Sequence, residues 1–149
     1  MTTDHVAQPT SAGKPSLSEA LQTARDIYRK EVRLARGGAR AASAFTGLVD
    51  ELLTRIYSDA ADETDTPVAL IAVGGYGRRH LCLHSDIDLL VLFDGSIDAA
   101  EERFVKSLLH PLWDLGFEVG QQVRQLSEFT RADTDNPEFL ASLADSRFL

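Results

Sequence analysis

Apolar positions fall along the chain in two kinds of run. After Ser16, Leu21, Ala24, Ile27, Tyr28 and Val32 recur three or four apart, the spacing of one helical face. Ser16 or Ser18 can cap that helix, with Glu19 in its first turn. Gly37-Gly38 interrupts the run, and Phe45, Leu48, Val49, Leu52, Leu53 and Ile56 form a second stripe within Ala41–Asp59. The pattern predicts two helices, or one helix broken at the glycines.

The polar loop Ala60–Pro67 changes the period. Val68–Val73 (VALIAV) is short, continuous and β-rich, the signature of a strand buried on both faces. Gly74-Gly75-Tyr76-Gly77 ends it. His84-Ser85 leads into a second strand, Asp86–Phe93, closed by the turn residues Asp94-Gly95. Ile97–Leu115 returns to helical spacing through Phe104, Leu108, Leu109 and Leu112, with Pro111 as a kink and Gly116 as a C-cap. Phe117–Leu126 reads as a third strand, and Ser127–Thr130 and Pro137–Leu149 as helix. The predicted fold is α/β, a small mixed sheet backed by helices. Residues 1–16 form a flexible tail, 17–59 an N-terminal helical segment and 60–149 the core. The chain stops inside an apolar helical run without a cap, the pattern of a core cut at its C-terminus.

Composition narrows the classes. One domain suits 149 residues. The apolar runs are far shorter than the roughly 20 residues a membrane-spanning helix needs. A single cysteine, Cys82, forms no internal disulfide and no Cys-based zinc cage. It is expected as a small buried hydrophobe, and Trp113 and Phe117 as core. The start carries no secretory signal, which with one cysteine points to a reducing cytoplasm. Fifteen Lys+Arg against 23 Asp+Glu give a net charge of −8, a poor balance for a nucleic-acid partner.

Chemistry concentrates in Gly74–Phe93, GGYGRRHLCLHSDIDLLVLF. Asp86 and Asp88, two apart at the head of a strand, share a face. Such a pair repels itself unless a cation intervenes, and Mg²⁺ favours carboxylate with phosphate oxygens. Glycines after a buried strand let backbone approach phosphate, and Arg78 and Arg79 follow with phosphate-gripping side chains. Each feature alone is ordinary: a turn, a strand end, a solvated surface. Their joint order on strand, turn and strand describes a nucleoside triphosphate site.

That order resembles the DNA polymerase beta superfamily of nucleotidyltransferases. GGYGR and SDIDLL resemble more closely the N-terminal catalytic domain of bacterial PII uridylyltransferase/uridylyl-removing enzymes, and GLVDELL, LWDLGFEVGQQVR and ADSRFL extend the likeness over most of Leu17–Leu149. The resemblance implies a polymerase-beta-like fold and transfer of UMP from UTP to a tyrosine hydroxyl of a PII-type nitrogen-signalling protein, with release of pyrophosphate. It implies Mg²⁺ held by Asp86 and Asp88, phosphates placed by Gly74, Gly75 and Ser85, and charge neutralised by Arg78. It also implies a third carboxylate on a later strand, for which Glu118 is the candidate, with Gly120 able to take the equivalent place. The chain departs from the family at Arg79-His80, where Gly-Glu is usual, and at Leu83-His84, where proline is common. The hydrolase and ACT domains of the full-length family do not fit in this length. Two other readings stay open: an adenylyltransferase using ATP, like the related enzymes that modify glutamine synthetase, and a non-catalytic nucleotide- or partner-binding remnant.

Overall fold

The computed structural model describes residues 14–34, 38–129 and 137–149. Helix α1 (Leu17–Arg33) starts at a capping box. The Ser16 hydroxyl accepts from Glu19 N–H, and the Glu19 carboxylate accepts from Ser16 N–H. Its Leu21 and Ala24 are buried against α2 (Gly38–Ala60), with the Tyr28 ring edge-on to Phe45 at 5.5 Å. Ile27 and Val32, expected on the same stripe, are exposed. The remainder of the predicted break and tail, residues 35–37 and 1–13, lies outside the described residues.

Among the described residues four strands form one sheet. Strand β1 (Val68–Ala72) runs antiparallel to β2 (Ile87–Phe93), and β2 parallel to β3 (Val119–Gln125). A parallel neighbour requires a crossover, which α4 (Ala99–Asp114) supplies. Alternate residues of β2 point to opposite faces. Ile87, Leu89, Val91 and Phe93 enter the main core with Phe45, Leu53, Phe104 and Leu108. Leu90 joins Ile71 and Val73 in a smaller cluster on the other face, bordered by Phe129 of α5 (Leu126–Phe129) and Leu143 of α6 (Pro137–Ala144). The strand is thus covered on both sides except where Asp86 and Asp88 emerge.

Three expectations are corrected. The last segment is not all helix: α6 ends at Ala144, and Arg147–Phe148 forms β4, antiparallel to β1. Trp113 is exposed, because the buried face of α4 runs through Phe104, Leu108 and Leu112, and Trp113 lies about 100° beyond Leu112. Cys82 is exposed too: Leu81 fills the core position of that loop while the next side chain turns outward.

Candidate functional site

The end of the sheet where β1 finishes and β2 and β3 begin gathers most of the chemistry-bearing residues. β1 runs into a single helical turn, α3 (Gly74–Gly77), rather than an open loop. Gly74 takes φ +58°, a left-handed conformation that side chains disfavour. A Cβ there would also lie 3.0 Å from Asp88 Oδ2. Across the parallel pair, Asp88 stands opposite Gly120, and a Cβ at Gly120 would overlap Asp88 Oδ1. The Asp88 carboxylate therefore sits in a slot between two glycines. Partial burial, foremost, and the nearby Asp86 charge push its pKa above the ordinary aspartate value. Asp86 is exposed at the mouth of the slot.

The backbone around the pair is tied down. Val73 N–H donates to Asp88 O at 3.1 Å, and Ile87 N–H to Glu118 O at 2.9 Å. Ser85 Oγ accepts from Cys82 N–H at 3.0 Å, and Ser85 N–H donates to Cys82 O, so the hydroxyl proton of Ser85 stays available to a ligand. Buried Thr46 of α2 holds the same loop by accepting from Leu81 N–H at 3.1 Å.

Other candidates are placed less centrally. Glu118 is exposed just ahead of β3. Continuing the register back one step sets it beside Asp86, yet the acids do not converge. Among the described residues no three His, Cys, Asp or Glu side chains are grouped to hold one metal ion. Gly120, the other occupant weighed for the third-carboxylate place, is the residue directly opposite Asp88. Gly75 lies within α3, where an added Cβ would come within 3.9 Å of the Arg78 guanidinium. Arg78 is paired with Asp145, which follows α6. Arg79, at the position where the resembling family carries glycine, adopts φ +62°.

A second network went unread in the sequence. Arg147 of β4 donates from both terminal nitrogens to the Asp50 carboxylate of α2, at 2.9 and 3.1 Å. The Tyr76 hydroxyl donates to the same carboxylate at 2.7 Å, and the Arg147 guanidinium lies over the Tyr76 ring. Burial and the Asp50 charge push the Tyr76 phenol well above its ordinary pKa, so it stays a donor. Gly77 completes the staple: a Cβ there would run into the Asp145 carbonyl oxygen. The glycine turn is thus clamped from behind by α2 and the C-terminal segment. Its one sequence signal was Asp50, a carboxylate among the apolar positions Leu48, Val49, Leu52 and Leu53.

Beside Asp86 lies a polar cleft of about 260 Å³, lined by Arg25 and Arg29 of α1, His84, Ser85, Phe117 and Glu118 among others. A C-cap builds one wall. Gly116 (φ +79°) donates to Trp113 O and Phe117 N–H to Leu112 O, turning the chain from α4 toward β3.

The chain resembles curated enzymes named "Bifunctional uridylyltransferase/uridylyl-removing enzyme". That of Azotobacter vinelandii is 35% identical over 133 residues, 89% of this chain and 15% of the relative. That of Pseudomonas syringae pv. syringae is 34% identical over 141 residues, 95% of this chain and 15% of the relative. That of Methylococcus capsulatus is 36% identical over 104 residues, 70% of this chain and 12% of the relative. The chain thus spans about 15% of the length of the relatives it matches. The family model described as "Putative nucleotidyltransferase DUF294" matches residues 22–128, from within α1 through β3 into α5. With that match over most of its length, and with an acid pair set against a glycine turn, the chain belongs to the DUF294 nucleotidyltransferase family.

Proposed function

We propose that the chain transfers UMP from UTP to a hydroxyl of a PII-type signalling protein, releasing pyrophosphate. The single observation that carries this reading is the Asp88 carboxylate, slotted between Gly74 and Gly120 with Asp86 beside it. The uridylyltransferase names of the relatives supply the transferred group, and the PII-type acceptor is what the family resemblance implies.

The acid pair fits a divalent cation. Two carboxylates on one strand face, one with its pKa raised partly by the other, lower their mutual repulsion by sharing positive charge. Asp86 and Asp88 would hold Mg²⁺, which when bound supplies charge neutralisation for a nucleotide's phosphates. The protein's own part is positional. The glycine slot leaves room for the Asp88 carboxylate, since added carbon on either side meets its oxygens. Gly74 and Gly75 keep that wall free of side chains, so phosphate can approach the backbone. Ser85 offers its hydroxyl proton to a phosphate oxygen. Arg78, shared with Asp145, adds positive charge at the edge.

In the transfer itself the acceptor hydroxyl oxygen bonds to the α-phosphorus. The bond from that phosphorus to the β-bridging oxygen breaks, pyrophosphate departs, and the hydroxyl proton passes to solvent. The test is the double variant Asp86→Asn, Asp88→Asn. It is expected to keep its circular dichroism spectrum and lose transfer of labelled UMP. Wild-type transfer by the folded variant would overturn the reading.

A further inference from the structure

The cleft beside Asp86 is a cationic pocket in an acidic protein. Arg25 and Arg29 stand one helical turn apart on α1, so both side chains reach the same side. The Arg25 guanidinium lies over the Phe117 ring, 5.8 Å from its centre. That contact holds the group in place but engages none of its five N–H donors in their plane. Among the described residues no carboxylate lies within ion-pair distance of Arg25, and Glu118, on the cleft wall, pairs with neither arginine. Among the described residues Arg29 pairs only with Asp26, one turn back on its own helix and exposed. His84 and the donor hydroxyl of Ser85 complete the lining next to the acid pair.

Arg78, the cation that sequence order suggests for phosphate, is shared with Asp145, as Arg29 is with Asp26. The uncommitted guanidinium near the acids comes instead from α1. Planar N–H forks match phosphate oxygens better than any other side chain does. A volume of about 260 Å³ accommodates two phosphoryl groups, and its wall includes Ser85, which directly precedes Asp86, and Glu118, whose carbonyl accepts from Ile87 N–H. We propose that Arg25 and Arg29, with Ser85, bind the β- and γ-phosphates of the nucleoside triphosphate, making α1 part of the substrate site. The proposal rests on the nucleotidyl-transfer reading for the place of the α-phosphate. Its ligand chemistry, a polyphosphate anion, can be probed apart from transfer.

The experiment compares wild type with Arg25→Met and Arg29→Met, singly and together. Methionine keeps the aliphatic stem that packs on α1 and Phe117 while removing the charge. Calorimetric titration would use UTP, UMP and inorganic tripolyphosphate on the full chain, with circular dichroism confirming the fold. Each substitution is expected to weaken UTP and tripolyphosphate by about tenfold, the loss of one charge-assisted contact, and to leave UMP within twofold. Unchanged tripolyphosphate affinity, absent tripolyphosphate binding in wild type, or a UMP loss matching that of UTP would each overturn the assignment. Failure of the parent reading looks different: wild type would bind tripolyphosphate through the arginines yet transfer no UMP. Conversely, transfer with an unchanged KM for UTP in the double variant would retain the reading and remove the cleft.

Discussion

Gly120→Ala isolates the slot that positions Asp88. The added Cβ would overlap Asp88 Oδ1 and lie 3.6 Å from its Cγ. The three nearest atoms all belong to Asp88 and the closest is its carboxylate oxygen, so the carboxylate is the group expected to swing aside. Turning a side chain about 30° off its rotamer costs roughly 0.5–1.5 kcal/mol. Replacing glycine by alanine returns about 0.4–1 kcal/mol by narrowing the unfolded ensemble. The two terms nearly cancel, so the midpoint of urea unfolding is expected to move by less than about 1 kcal/mol equivalent. Function should respond far more, since a misplacement on the order of 1 Å costs about 100-fold. Mn²⁺ titration followed by water proton relaxation reads the acid pair directly, and UMP transfer reads its consequence. Gly47→Ala in α2, where a Cβ meets nothing within 4 Å, is the control and should leave both unchanged. A folded Gly120→Ala protein with wild-type Mn²⁺ affinity and transfer would refute the slot argument.

Other outcomes follow from the same geometry. Asp50→Asn leaves the Arg147 guanidinium, about one-fifth exposed, without its carboxylate; a loss of about 2–3 kcal/mol by chemical denaturation is expected, and none would show the clamp to be idle. Arg79→Gly relieves a left-handed residue at φ +62°, a strain of roughly 1–2 kcal/mol, against the greater freedom glycine gains in the unfolded chain; a net gain of about 0.5–1 kcal/mol in unfolding free energy is expected. Glu101 is held near a pKa of about 2 by hydrogen bonds, first from Thr66, then from Thr64 and Asp98 N–H. A lowered carboxylate stabilises the fold above the ordinary glutamate range, and that contribution fades as pH falls toward the lowered value. Glu101→Gln should therefore melt below wild type at neutral pH and converge with it near pH 2; a gap independent of pH would contradict this cause.

Periodicity revealed the elements whose apolar faces are long. The stripe of α2, the continuous run of β1 and the Phe104–Leu112 face of α4 each carry enough repeated burial to declare their period. An N-cap at Ser16 or Ser18 and the glycine cap at Gly116 were legible because each is local chemistry, and the structure places the first at Ser16. β4 was not, because two residues of strand carry no period, and its place is set by pairing with β1. The acid pair could be seen because its partners lie two residues apart at the head of one strand. The rest of the site depends on contacts between distant segments. That Gly120 faces Asp88 follows from parallel register across a crossover helix. Asp50, Tyr76 and Arg147 meet from positions 26 to 97 residues apart. Arg25 reaches the cleft only because α1 packs back over the β3 entrance.

The central claim is that the acid pair performs nucleotidyl transfer. The most direct measurement supplies α-labelled UTP, Mg²⁺ and a PII-type protein to the wild-type chain and to the folded Asp86→Asn, Asp88→Asn variant, and counts label on the acceptor together with released pyrophosphate. The account predicts equal amounts of both products from wild type and neither from the variant. Labelled acceptor from the variant, or none from a wild-type chain that binds UTP, would contradict it.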